Sequence, residues 1–236
     1  MSLPAATGAE PAPAPDPLAL ALAVLPAEAH PADSDALDAL AARVRFLVEA
    51  DRLKAVLRRT KLMDGSRREN SAEHSWHLAL MAVVLAAHAA PPGTDLVRVL
   101  GMLLVHDVVE IDAGDTFAYD AASVGGQAAR EAEAAGRLFG LLPGGEGDAL
   151  RALWEEFDAG ATPEARFAVA LDRFQPLLQN VYGGGGTWRE HGVTRAQVLR
   201  RMAPIERGAP ALWPLVVALV EGARAAGHIA PDAPAP

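Results

Sequence analysis

"LLVHDVVEIDAGD" occupies Leu103–Asp115 and sets His106 and Asp107 side by side within an apolar run. With Val99, Leu100 and Met102 ahead of it, the stretch reads as a core helix from Asp95 to Ile111, ended near Gly114. An ionised carboxylate left unpartnered in such a core costs roughly several kcal/mol. Either the helix turns a polar stripe to water, with Asp107, Glu110 and Asp112 solvated, or the His106-Asp107 pair faces a cation. Consecutive residues on a helix project roughly 100° apart, so the pair can ligate one ion from adjacent directions. Glu110, one turn on, lies on the His106 side.

The rest of the chain fits a helical setting. Its 236 residues are 51% hydrophobic and only 5% aromatic, which favours helices rich in Ala and Leu. A net charge of −9 argues against a nucleic-acid partner, so an anionic substrate must be met by local arginines or a metal. The absence of cysteine excludes disulfides and thiolate sites and predicts a reducing, cytoplasmic setting. The apolar run "LALALAVL" (18–25) lacks a basic lead-in and is too short to span a bilayer, so no membrane partner is expected. Residues 1–17 and the tail 229–236 are Ala/Pro-rich and are predicted to be disordered, leaving one domain over 18–228.

Periodicity predicts a helix over 35–58, from Leu37, Leu40, Val44, Leu47, Leu53 and Leu57. "MDGSRREN" (63–70) reads as a turn, after which Asn70 or Ser71 caps a helix running to about Ala90 and stopped by Pro91-Pro92. A loop over 116–126 precedes helices at about 127–141, 146–158 and 163–182, the last locally kinked or strained at Pro176. Beyond the glycines Gly183–Gly186 come helices near 194–203 and 211–226. No alternating strand stands out. The fold class is all-α, and exposed leucines in "ALWPLVVALV" (211–220) suggest a subunit contact.

Two other stretches join the opening motif. "ENSAEHSWHLAL" puts His74 on the first turns of a helix, and "ALDRFQPLLQN" puts Asp172 beside an apolar face. Taken singly, each reads as structural: a histidine near a helix start, a solvated aspartate beside Arg173. Together, Arg67, Glu69 and His74, "HDVVE" (106–110), Gly114-Asp115 and "LDR" (171–173) resemble the HD superfamily of metal-dependent phosphohydrolases, in its 5′-deoxynucleotidase-like branch. The likeness runs over about 35–225.

The resemblance implies a single HD-domain helical bundle and one divalent metal ion (Mn, Co, Fe, Ni, Zn or Mg) held by His74, His106, Asp107 and Asp172. It implies hydrolysis of the 5′-phosphate of a (deoxy)nucleoside monophosphate, with Glu110 handling a proton as the catalytic group. Arg59, rather than the adjacent Arg58, matches the family's phosphate-binding arginine, and Asp115 would accept a hydrogen bond from the sugar 3′-hydroxyl. Where some relatives carry tryptophan after that arginine, Thr60 stands here. Relatives are often dimers, so a homodimer is expected. Competing readings are a phosphohydrolase acting on a nucleoside triphosphate or an alarmone, and a non-catalytic metal-binding helical scaffold. Trp188 and His191, after the glycine run, read as packing or surface residues before pocket residues.

Overall fold

The computed structural model describes residues 16–23, 34–89, 91–115 and 126–231. The expected disorder at 1–17 and the loop at 116–126 thus lie largely outside the described residues. Helices α1 (Pro17–Ala23) and α2 (Ser34–Ala50) lead into a 3-10 turn at Asp51–Ala55. The helix expected to run to 58 therefore stops early. Val56 is extended, and the chain enters an antiparallel hairpin of β1 (Leu57–Lys61) and β2 (Arg68–Asn70). The "MDGSRREN" turn is where the sequence puts it, but its last three residues form strand β2. Gly65, at φ +72°, closes the turn with its N–H on the Leu62 carbonyl at 2.8 Å.

Asn70 ends β2 and caps α3 (Ser71–Leu85) by a capping box: Glu73 N–H donates to its side chain, and Glu73 accepts from the Asn70 N–H. Arg67 holds the same Glu73 from the hairpin, Nη2 to Oε2 at 2.8 Å. This ties the hairpin to the start of α3.

The opening stretch is not one helix. Helix α4 (Leu96–Val105) starts on the Asp95 cap and ends before the motif; α5 (Glu110–Ala113) begins after it. Between them the backbone tightens into three-residue steps, Val108 N–H to Val105 O at 3.1 Å and Glu110 N–H to Asp107 O at 2.9 Å. His106 and Asp107 therefore sit at the exit of a helix rather than in its middle. An uninterrupted α-helix would splay them by roughly 100°; the turn relaxes that limit.

Helices α6 (Gln127–Phe139) and α7 (Glu146–Ala159) follow, then α8 (Pro163–Tyr182), capped by Thr162 with Pro163 at its first position. Helix α8 is the spine of the fold. Phe167, Ala168, Leu171, Phe174 and Leu177 are buried on it, against Leu78 and Met81 of α3 and Val99, Met102 and Leu103 of α4. It runs on through Pro176, whose carbonyl accepts from Asn180 Nδ2 at 2.9 Å.

The glycine run turns the chain from α8 into α9 (Gly186–Glu190), with Gly184 and Gly185 at φ +67° and +97°. A Cβ on Gly185 would come within 2.9 Å of His228 and closer still to Arg189, so the run is a packed corner and not a loose loop. Helices α10 (Arg195–Met202), α11 (Pro204–Gly208) and α12 (Trp213–Ala225) complete the main core; the sequence pattern gives no sign of α11. Leu212, Val216 and Val220 of "ALWPLVVALV" are buried in that core with Trp213 and Leu219 packed against it; Leu215 is exposed. Of the tail expected to be loose from 229, Ile229 is buried and Ala230 N–H bonds the Val193 carbonyl at 3.0 Å.

A second apolar cluster joins Phe46 and Leu53 to Val105, Val108 and Val109 and to Leu138 and Phe139 of α6. Leu103 belongs to the first cluster and Val105 to the second, so the His106-Asp107 turn lies at their junction. Among the described residues the fold is thus all-α apart from one small hairpin.

Candidate metal centre

Three elements bring the polar residues together. His74 comes from the first turn of α3, His106 and Asp107 from the turn after α4, and Asp172 from the middle of α8. All four are buried: His74 at 0% exposure, His106 at 6%, Asp107 and Asp172 at 8%. Ligand atoms of His74, His106 and Asp107 lie within 4.8 Å of one another. Asp172 Oδ1 joins them, 3.1 Å from His74 Nε2 and 3.9 Å from His106 Nε2. The His74 and His106 rings stand 5.6 Å apart, centroid to centroid.

The tautomers follow from the partners. His106 Nδ1 is 3.0 Å from the Leu103 carbonyl, which can only accept, so Nδ1 carries the hydrogen. His106 Nε2 is then a bare lone pair. It is buried, has no hydrogen-bond partner, and faces Asp107 Oδ1 at 3.1 Å. A lone pair aimed at carboxylates in a dry site calls for a cation between them. Two imidazoles and two carboxylates form a donor set that suits a divalent transition metal.

Charges shape the site. Burial pushes the Asp172 carboxyl up, but Arg173, which hydrogen-bonds its Oδ2, and the two histidines overcome this and hold it well below the usual carboxylate range. Burial lowers His106 despite Asp107 and Asp172. His74 is raised, because Asp172, Glu69 and Asp107 outweigh its burial and the Arg58 charge.

The two arginines of β1 take opposite faces, as neighbours on a strand must. Arg58 points inward; its side chain is 13% exposed and Nη1 donates to Asp107 Oδ2 at 2.8 Å. Arg59 is exposed, and its backbone N–H donates to Asp115 Oδ2 at 3.2 Å. Both line the same cavity. Read as part of a helix or turn, the pair offers no way to choose between them. The strand alternation does.

Glu110 sits on α5 beside the cluster, its Oε2 accepting from Ser71 Oγ at 2.6 Å. Burial, then the charge of Asp107, push its carboxyl up to about 9. Burial likewise raises Asp115. One residue that the sequence does not single out completes the site's floor. Gln175, fully buried on α8, has Oε1 3.2 Å from His74 Nδ1, and its Nε2 donates to Glu69 Oε1 at 2.6 Å. Its position three residues after Asp172, on the same helix face, is the available signal.

Above the cluster opens a cavity of about 220 Å³. His106, Asp107, Asp172, Glu110 and Asp115 face it from one side, with Trp154, Phe157, Leu177, Trp188 and Met202 as apolar wall and Arg173 and Arg201 as further cations. Phe157 packs on the His106 ring at 4.7 Å. Trp188 thus serves both packing and cavity, whereas His191 is exposed and outside the lining.

Known proteins resemble this chain in sequence and in fold. Residues 50–213 match the family model of the HD domain. The human protein "5'-deoxynucleotidase HDDC2" is 31% identical over 113 residues, covering 48% of this chain and 53% of its own. Its zebrafish (Danio rerio) counterpart is 28% identical over 111 residues, 47% and 54% respectively. The chain thus spans about half the length of these curated relatives. A crystal structure described as a predicted metal-dependent phosphohydrolase, from Magnetospirillum magnetotacticum MS-1, superposes with a TM-score of 0.78 at 52% identity, over 82% of this chain and 100% of that one. This chain belongs to the HD-domain family.

Proposed function

We propose that this protein is a divalent-metal-dependent phosphohydrolase that removes the 5′-phosphate of (deoxy)nucleoside monophosphates. The observation that carries the reading is the partnerless, buried His106 Nε2 facing two carboxylates and a second histidine at the floor of a cavity. His74, His106, Asp107 and Asp172 would hold the ion. When bound, it supplies Lewis acidity to a phosphoryl oxygen and makes water a stronger nucleophile near neutral pH. The names of the HDDC2 relatives and of the Magnetospirillum protein support the same chemistry.

The chain's own residues account for the remaining steps. An approaching phosphate dianion meets a protein of net charge −9, so local cations must hold it. Arg58, at the cavity floor, has the planar fork for this; Arg59 suits a contact nearer the mouth, with its backbone held by Asp115. Glu110, raised to about 9 by burial and Asp107, is a proton holder, and a nearby cation would lower that value and ease release of the proton. This favours Glu110 delivering a proton to the departing O5′. Asp115 would accept from the sugar hydroxyl, and Trp154 gives an apolar wall for a base. The cavity of about 220 Å³ is small beside the roughly 300–1,000 Å³ usual for ligand pockets, and it opens to solvent.

We also propose a cytoplasmic homodimer. No helix among the described residues is long and apolar enough to cross a membrane. The surface that supports self-association is on α3, where Trp76, Leu80, Val83 and Val84 are 46–69% exposed on successive turns. Protein from the cytosolic fraction should sediment at about twice the 24.6 kDa chain mass; a single-chain mass removes the dimer.

Three further outcomes test the enzyme reading. Asp107→Ala and His106→Ala should each abolish stoichiometric metal by elemental analysis, together with phosphate release. An Asp107→Ala protein that keeps its metal would refute the ligand set. Glu110→Gln should retain the ion but lower kcat by about 10²–10⁴. Normal turnover at saturating nucleotide would leave Glu110 no role in proton transfer. In a phosphate-release screen over a nucleotide panel with Mn²⁺, Co²⁺ and Mg²⁺, Arg58→Ala should depress kcat/KM alike for every monophosphate, and by more than Arg59→Ala. If Arg59→Ala is the more damaging, the exposed arginine is the principal phosphate contact. If neither matters, the substrate is not a terminal phosphomonoester.

A further inference from the structure

Behind the ligand cluster lies a closed chain of buried side chains. Asp107 Oδ2 accepts from Arg58 Nη1 at 2.8 Å, and Arg58 Nε stands 3.6 Å from Glu69 Oε2. Glu69 Oε1 accepts from Gln175 Nε2 at 2.6 Å, and Gln175 Oε1 meets His74 Nδ1 at 3.2 Å. Glu69 is 2% exposed, and Gln175 and His74 are both at 0%. Two of the proposed ligands, Asp107 and His74, are thus linked through the protein.

The orientation of each member is forced. A carboxylate only accepts, so the Gln175 NH₂ must face Glu69; its second hydrogen points toward His77 Nδ1 at 3.4 Å. The Gln175 oxygen is then left for His74, whose Nδ1 must carry the hydrogen. His74 Nε2 faces Asp172 Oδ1 at 3.1 Å on the side of His106, where a cation would take the place of its hydrogen. His106 has its Nδ1 fixed as the donor by a different route, through the Leu103 carbonyl.

We propose that Gln175 is a positioning residue of the metal centre, which together with Glu69 locks His74 as the Nδ1–H tautomer and presents its Nε2 as the ligand atom. The inference rests on the metal-centre reading above. A ligand histidine held by a partner of fixed polarity binds metal better than a free one, by about 10–100-fold in affinity when such a partner is lost. The neighbouring carboxylate is what gives the glutamine its polarity. An amide at 175 with no acceptor at 69 could turn over; an acid at 175 opposite Glu69 would set two carboxylates in contact.

The test is a polarity swap, read by Mn²⁺ titration of the full chain. Gln175→Glu should weaken Mn²⁺ binding about 10–100-fold, because Glu69 and the new carboxylate repel. Adding Glu69→Gln reverses donor and acceptor while keeping the charge. The amide introduced at position 69 then donates to the carboxylate at position 175, which still accepts from His74. The double variant should regain affinity to within a few-fold of the native chain. Melting temperatures in EDTA separate folding from metal binding. Gln175→Glu with native affinity overturns the proposal, as does a double variant that melts normally and binds as weakly as the single. Should Gln175→Glu fail to fold, the double variant against the native chain decides alone: near-native affinity supports the proposal, and its loss overturns it. A native chain that takes up no Mn²⁺ removes the metal-centre reading and this one with it; a native chain that binds, with Gln175→Glu indifferent, removes only this one.

Discussion

Burying two imidazoles and two carboxylates in one place is the constraint on which the rest of this molecule depends. His74, His106, Asp107 and Asp172 are all at or below 8% exposure, and Glu69 lies under them at 2%. Desolvating a charge costs several kcal/mol, roughly, so each needs a partner. Arg58 answers Asp107 and Arg173 answers Asp172, both side chains coming from elements that also build the cavity. What those arginines leave over, the His106 lone pair, is the part of the balance left for a cation.

The fold supplies that cluster from elements fixed independently of one another. Helix α8 is anchored along its length by Phe167, Leu171, Phe174 and Leu177, which sets Asp172 and Gln175 in depth and rotation. The capping box at Asn70 fixes where α3 begins, and so where His74 points. The turn after α4 divides two apolar clusters, so His106 and Asp107 are held from both sides by packing. A two-stranded hairpin is at best marginal by itself. Here it is held by the buried ion pairs of Arg58 and Glu69, by Arg67 on Glu73, and by its contacts with α8 and α9. Site and fold therefore stabilise each other.

The hairpin is hard to read from sequence for a physical reason. "LRRTK" and "REN" do alternate, but the inward members are Arg58, Thr60 and Glu69 rather than apolar residues, so the pattern carries no hydrophobic period. Without the strand, the faces of Arg58 and Arg59 have no basis for separation. The same holds for Gln175, whose role depends on Glu69, 106 positions earlier in the chain. The apolar surface expected on the last helix lies elsewhere for a related reason. Composition does not tell which side of an apolar helix finds a partner, and α12 buries Val216 and Val220 while α3 leaves Trp76 and Val84 outside.

By itself the sequence determined what local chemistry can encode. The helical class follows from Ala and Leu, the helix starts near Asn70, Asp95 and residue 163 from local pattern, and the imidazole and carboxylate groups from His74, His106-Asp107 and Asp172. Only the tertiary structure decided which arginine faces inward, which nitrogen of each histidine faces the buried cluster, and where the helix carrying His106 ends. Those depend on partners distant in the chain, Leu103 excepted, and on the rule that a buried donor or acceptor takes the one partner within reach.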